Sequence, residues 1–237
     1  MCIRDRAWTG SIEAGSLEAK AGAASFALKR VERKSPTEGL KPPEGAVVLL
    51  PFTGGPPPLD EWDNPAWIPL PDGSMRVGKG DIRTRRHFGD VKLHVEFRIP
   101  YEPYGGGQGR GNSGVYFQDR YEIQVLDSFG LVPGAGDCGA VYSVAAPKVN
   151  ASLPPLAWQT YDVTFRAVRL KEDGTVARPA LFTVVHNGVP VHDKVEVVRQ
   201  TGGGPEGLVK TGPIRLQDHG SPVSYRNIWA VELKDEP

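Results

Sequence analysis

From about residue 67 onward, apolar and polar side chains alternate with a period of two. That period belongs to strands, whose successive side chains point to opposite faces. In 90–99, Leu93, Val95 and Phe97 share one face, while His94, Glu96 and Arg98 share the other. Val115 and Phe117 oppose Tyr116 and Gln118; past a tight turn expected at Asp119–Arg120, Tyr121, Ile123 and Val125 oppose Glu122 and Gln124. Tyr161, Val163 and Phe165 mark a core face in 159–167, and Ile214 and Leu216 oppose Arg215, Gln217 and His219 in 213–220. A last strand spans 224–233. Asn187–Gly188 is a hairpin signal, because both central residues of a type I′ turn need positive φ; His186 and His192 beside it read as surface residues. Helical periodicity nowhere persists beyond about two turns. About ten to fourteen short antiparallel strands, each with one apolar face, predict an all-β fold of two stacked sheets, an antiparallel β-sandwich or jelly roll. A parallel sheet would need crossover helices that the pattern does not contain.

The first quarter of the chain is patterned more weakly. Residues 11–31 mix Ala, Gly and Ser around a single strand-like run, SFALKRV. Residues 34–45 hold three prolines and two glycines and read as an extended linker, and a second Pro-rich break spans 53–62. The expected organisation is an N-terminal remnant with a Pro-rich linker over 1–45 and one β-sandwich domain over 46–237. MCIRDRAWTGSIEAG has no apolar signal stretch and reads as a truncated start.

Composition narrows the function classes. Lys+Arg and Asp+Glu tie at 28 each, for a formal net charge of +0. This argues against nucleic acid and anionic membrane surfaces as partners. The longest apolar run, residues 46–50, is too short for membrane insertion. Two cysteines, Cys2 and Cys138, exclude a disulfide framework, and nothing around Cys138 supplies a base for a nucleophile. No CxxC pair, HExxH or GxSxG is present, so neither a transition-metal site nor a serine hydrolase is signalled. Asp127 and Glu96 are acidic residues that could join a hard-cation site. GGGQGRGNSG (105–114) lacks the Lys-Ser/Thr ending of a phosphate-binding loop and reads as a loop beside a groove.

The candidate chemistry lies on the non-core faces. His94, Glu96, Arg98; Tyr116, Gln118, Glu122, Gln124; and Arg215, Gln217, His219 would line a polar groove if their strands were neighbours. Amides, carboxylates and an aromatic platform suit a polyhydroxylated ligand, since each hydroxyl both donates and accepts. The outer face of any antiparallel sandwich is also polar by default. Glu122 therefore reads either as an acid–base group or as an ion-pair partner of Arg120 or Arg98, and His219 either as a functional residue at a sheet end or as a cap.

VVLLPFTGGPPPLDEW (47–62), GDVKLHVEFRIP (89–100), GNSGVYFQDRYEIQVLDSFG (111–130), CGAVYSVAAPKVNAS (138–152), WQTYDVTFRA (158–167), VVHNGVPVHD (184–193) and GPIRLQDHGSPVSYRNIWAVEL (212–233) together resemble the 3-keto-disaccharide hydrolase domain family. The resemblance runs in order over about 46–234, and VERKSPTEGLKPPEG (31–45) is similar to the lead-in of longer members. It implies a concanavalin A-like lectin/glucanase sandwich, a carbohydrate partner, and a periplasmic or extracellular location. It further implies cleavage of a glycoside whose C3 hydroxyl has become a ketone. The ketone acidifies the C2 proton, so a base can form an enolate that expels the C1 oxygen, without two carboxylates flanking the bond.

On that implication, Glu122 or His219 is the general base and the other the acid. Arg98 or a bound divalent cation stabilises the enolate. Asn112, Gln124 and Gln217 hold sugar hydroxyls, Tyr116 or Trp158 offers a stacking surface, and Glu96 is a metal ligand or the partner of Glu122. Two other readings stand beside this one: a conventional glycosidase using Glu96 and Glu122, and a non-catalytic carbohydrate-binding module.

Overall fold

The computed structural model describes residues 8–64 and 66–234, which form two compact units divided between Arg33 and Lys34. The first unit is an antiparallel meander of β1 (Thr9–Glu13), β2 (Ser16–Ala21) and β3 (Ala24–Lys29), where one strand was expected. Its register aligns Ile12, Leu17 and Leu28 in one row and Gly10, Ala19 and Phe26 in the next, giving the meander one apolar face. The ring of Trp8 lies on that of Phe26, with centroids 5.2 Å apart.

The second unit is the predicted all-β sandwich. Its smaller sheet has the order β10 (Tyr121–Val125), β9 (Ser113–Phe117), β16 (Gly212–Leu216), β7 (Ile82–Phe88). Its larger sheet runs β15 (Val189–Val197), β14 (Ala180–His186), β11 (Trp158–Arg166), β8 (Val91–Arg98), β17 (Ser224–Glu232), β6 (Met75–Arg76), β5 (Ile68–Pro69), with β4 (Val47–Leu50) also on β17. A ribbon of β12 (Arg169–Leu170) and β13 (Val176–Arg178) completes it, and every pairing is antiparallel. Among the described residues the helical element is one 3-10 turn at Gly107–Gly109, and no helix is long and apolar enough to cross a membrane.

The expected core faces meet between the sheets. Phe117 and Tyr121 of the smaller sheet lie 5.2 and 5.7 Å from the ring of Phe165 in the larger, and Phe182 closes on Phe117 edge-on at 5.2 Å. Val95, Phe97, Ile123, Val125, Val163 and Leu216 are buried around them. Aromatic pairs at such separations contribute beyond their buried area, which fixes the stacking of the sheets. Asn187 and Gly188 take φ of 51° and 77°, as the hairpin requires. The β9–β10 turn falls one residue earlier than expected: Gln118 and Asp119 have positive φ, and Arg120 N–H donates to Phe117 O at 3.0 Å.

Two expectations need correction. Residues 34–45 are not a linker outside the sandwich but part of it, held against the outer face of the larger sheet. Ser35 Oγ bonds Thr160 Oγ1 at 2.6 Å, Thr37 Oγ1 donates to Asp162 at 2.8 Å, and Leu40 O accepts from Asn227 and Trp229. His186 and His192 are buried rather than on the surface. His186 follows Phe182 and Val184 in the inward parity of β14 and bonds Gln159 Oε1 at 3.0 Å; His192 bonds Gly139 O at 2.8 Å. With burial unopposed, the His186 pKa falls to about 3, so the ring sits neutral in the core.

Candidate functional site

Three adjacent strands of the smaller sheet carry their outward side chains into one patch. The register sets Glu122 of β10 opposite Tyr116 of β9, and Tyr116 opposite Arg215 of β16. One step along, Gln124 lies opposite Gly114, and Gln217 follows Arg215 on the outward parity. Above this floor lies a cavity of about 240 Å³ lined by Gln108, Asn112, Tyr116, Glu122, Gln124, Tyr142, Gly202, Gly203, Gln217 and His219. Of the residues singled out from the sequence, Glu122, His219, Asn112, Tyr116, Gln124 and Gln217 are thereby brought together.

Gly114 makes the floor possible. A Cβ on it would collide with Glu122 Oε1 and sit 2.8 Å from Tyr116 Cε2, so only glycine lets the Glu122 carboxyl lie back across β9. Glu122 is 2% exposed. Burial pushes its pKa up to about 7, against the downward pull of the Tyr116 hydroxyl and the Arg215 guanidinium, while Asp81 adds to the rise. A carboxyl poised there exchanges its proton readily at neutral pH, as acid–base work requires.

The amides around it are held in fixed orientations. Asn112 Nδ2 donates to Gln108 O at 2.7 Å, and Gln124 Nε2 donates to Gln108 Oε1 at 3.0 Å. Asn112 Oδ1 and Gln124 Oε1 are left buried with no donor from the protein. Buried acceptors are costly unless matched, and hydroxyl donors of a ligand would match them. Gln217 Nε2 donates to Tyr116 Oη at 3.2 Å, and Tyr116 Oη donates to Gly202 O at 3.1 Å. Burial, and then the neighbouring Glu122 charge, raise the Tyr116 pKa, so its hydroxyl stays protonated. His219 is exposed at the rim. Glu102 steadies that side, accepting from Gly111 N–H at 2.6 Å and from Ser221 Oγ at 2.8 Å.

Glu96, Arg98 and Trp158 are not part of this site, contrary to expectation. They lie on the outer face of the larger sheet, with the whole sandwich between them and Glu122, since stacked sheets are themselves roughly 10 Å apart. Glu96 is 0% exposed beneath the 34–45 segment. It accepts from Gly39 N–H at 2.5 Å, Arg226 Nε at 2.7 Å and Asn227 Nδ2 at 2.8 Å, with His94 Nε2 at 3.5 Å. Burial opposes its charge, but these partners prevail and hold the carboxyl down to about 2. Arg98 pairs with Asp72 at 3.2 Å and lies over the Trp158 ring, whose other neighbour is Arg226 at 4.0 Å. These are structural ion pairs and stacks.

Sequence reasoning set the 105–114 loop beside the groove without singling out Gln108, and it missed Tyr142 and the Gly202–Gly203 loop. The triple glycine at 202–204 was the available signal. A Cβ at Gly202 would sit 2.9 Å from the Tyr142 ring, and one at Gly203 would sit 2.8 Å from Tyr116 Oη, so the loop closes over the floor only as glycine. Among the described residues no group of three or more His, Cys, Asp or Glu side chains converges on a metal position. Glu122 and His219 alone do not make a cation site, and Asp127 instead pairs with Arg110 at 3.1 Å.

The site is thus a small amide-lined cavity with a single buried carboxyl on one sheet of a β-sandwich. A candidate glycosyl hydrolase from Parabacteroides distasonis ATCC 8503 is 33% identical in sequence, superposes with a TM-score of 0.70, and is matched over 80% of this chain and 84% of its own. Two further candidate glycosyl hydrolases from the same organism share the fold at 20% and 22% identity, with TM-scores of 0.58 and 0.54. They are matched over 80% and 81% of this chain, and over 100% and 95% of theirs. No curated protein is significantly similar to the chain. The chain belongs to the 3-keto-alpha-glucoside-1,2-lyase-like domain family, whose profile matches residues 53–231.

Proposed function

We propose that this domain cleaves glycosides whose C3 carries a ketone, by elimination across C2 and C1, with Glu122 as the general base. The observation that carries the reading is a lone carboxyl. Among the described residues, Glu122 is the one carboxylate lining the cavity. A conventional glycosidase needs two, roughly 5–9.5 Å apart across the bond. Glu96, the candidate second carboxylate, is locked on the far face of the other sheet. Elimination next to a ketone needs one base, a stabiliser for the enolate oxygen and an acid for the leaving group. The cavity is below the roughly 300–1,000 Å³ of drug-sized pockets and suits one pyranose ring.

In this scheme Glu122 takes the C2 proton, and the C2–H electrons form the enolate. The amide groups of Gln217 and Gln124, each with a second N–H beyond the one already used, donate to the enolate oxygen in the role first expected of Arg98. Collapse of the enolate breaks the C1–O bond, and His219 at the rim protonates the departing oxygen as it leaves toward solvent. Water then adds to C1 of the enone and gives up a proton to His219; Glu122, its proton exchanged with solvent through the open cavity, protonates C2, and the sum is hydrolysis. Asn112 Oδ1 and Gln124 Oε1 accept from ring hydroxyls, and Tyr116 supplies the flat floor.

The test compares a native disaccharide with its 3-keto form as substrates for the purified protein, following monosaccharide release. Release from the keto sugar alone is expected. Release from the native sugar would overturn the proposal, and release from neither, with binding intact, would leave a carbohydrate-binding module.

A further inference from the structure

Beside the cavity floor, on the same outward face of the smaller sheet, runs a row of charge that the scheme above does not use. Arg215 is buried beside Tyr116, with its guanidinium carbon 3.7 Å from the Tyr116 ring centroid. Asp119 holds its Nε at 3.0 Å, Asp81 its Nη1 at 3.5 Å, and Gly203 O accepts from its Nη2 at 2.9 Å. Arg83 joins the same carboxylates, 3.2 Å from Asp119 and 3.7 Å from Asp81. Glu122, Tyr116 and Arg215 stand side by side on consecutive strands, so the cation lies one residue beyond the ring that the Glu122 carboxyl overhangs.

We propose that Arg215 is a positioning residue that acts through Tyr116 to keep the Glu122 carboxyl ionised and placed as a base. This rests on the reading of Glu122 as the base. The guanidinium face on the Tyr116 ring fixes that ring, whose hydroxyl is tied to Gly202 O and Gln217, so one arginine sets the floor, the glycine loop and the amide. It is also the cation whose charge acts on the Glu122 carboxyl, which makes no ion pair among the described residues. Two strand spacings separate the columns, roughly 10 Å. At that range, and in a protein-like effective dielectric, one charge moves a carboxyl midpoint by about one pH unit.

The remaining ionisable groups facing Glu122 set the balance. Tyr116 and Tyr225 are neutral, their pKa values raised by burial; Tyr142 borders the cavity, His219 stands at its rim, and Asp81 is the anion that opposes Arg215. Loss of Arg215 would leave the Asp81 charge acting on Glu122 without the cation that opposes it, which drives the carboxyl further toward its protonated form.

The experiment titrates Glu122 directly, by carboxyl-carbon NMR on protein with labelled glutamate, with Glu122→Gln identifying the resonance. Arg215→Met is expected to raise the midpoint by about one pH unit, and Arg215→Lys, which keeps the charge but not the stacking plane, by less. Asp81→Asn is the companion variant should Arg215→Met fail to fold, and it moves the midpoint down. An unchanged midpoint in a folded Arg215→Met protein, or an upward move in Asp81→Asn, overturns the proposal. The titration needs no substrate, so it stands or fails separately from the elimination reading. With a 3-keto glycoside, the acid limb of kcat/KM shifts up with the midpoint and the lost activity returns at high pH; a merely structural defect lowers the whole profile.

Discussion

Replacing Gly114 with alanine tests the placement of Glu122 without touching a reacting group. The added methyl would meet Glu122 Oε1 inside van der Waals contact and Tyr116 Cε2 at 2.8 Å. The φ of Gly114 is not among the positive values of the chain, so alanine is compatible with the backbone. Of the two neighbours, the carboxylate sits at the end of a flexible side chain, and it is the one that yields, by about 1 Å. A misplacement of that size costs on the order of 10²-fold in rate. The methyl also restricts the unfolded chain, which favours folding by roughly 0.5–1 kcal/mol and offsets part of the crowding. Gly114→Ala is therefore expected to fold with a melting temperature within a few degrees of the parent and to turn over a 3-keto glycoside about 10²-fold more slowly. Gly106→Ala, where a Cβ meets nothing within 4 Å, serves as the control and keeps full turnover. Thermal melting and initial rates on the same preparations decide the matter. A folded Gly114→Ala protein with parental turnover would refute the placement of the carboxyl.

Further outcomes follow from the same structure. Glu122→Gln lowers turnover by about 10²–10⁴-fold. It also changes stability with a definite sign: the folded pKa of about 7 lies above the unfolded value, so the wild type loses stability as pH rises through 7, and the glutamine variant melts higher than wild type at pH 8 but not at pH 4. Glu96 behaves oppositely, since its folded pKa of about 2 lies below the unfolded value and its contribution is lost as pH falls toward 2. Glu96→Ala leaves Arg226 and His94 facing a buried gap and is expected to cost about 3–5 kcal/mol in denaturant unfolding at neutral pH. A loss below about 1 kcal/mol would remove the network from the stability account. Gln108→Ala frees the Gln124 amide and leaves Asn112 only its bond to the main-chain carbonyl of residue 108, and it is expected to raise KM several-fold more than it lowers kcat; equal effects on both would contradict its role. EDTA is expected to leave turnover unchanged, measured as sugar release before and after chelation.

Much of this fold could be read from alternation because each strand buries one face, and parity alone places Phe97, Ile123, Val163 and Leu216 in the core. The same rule could have placed His186 inside, since it shares parity with Phe182 and Val184; proximity to a hairpin was the poorer guide. The site was half legible for a related reason. Alternation says which face of a strand a residue occupies, but not which sheet the strand joins. Glu122, Gln124, Tyr116 and Gln217 are together because β10, β9 and β16 pair, whereas Glu96 and Arg98 share an identical polar pattern on a strand that pairs with β11 and β17 instead. The prolines of 34–45 suggested a free linker, yet that segment supplies Gly39 N–H and Glu38 to the Glu96–Arg226 pair, which is why Glu96 is buried on an outer face. Gln108, Tyr142 and Gly202 arrive on loops, where no period marks them.

The most direct test of the central claim is the fate of the C2 proton. A 3-keto disaccharide is cleaved in deuterated water, and the released 3-keto sugar is examined by NMR for deuterium at C2. Incorporation at C2 with wild type, its loss with Glu122→Gln, and no cleavage of the native sugar are the expected results. Cleavage that leaves the original C2 hydrogen in place would contradict elimination and remove Glu122 from the role given to it here.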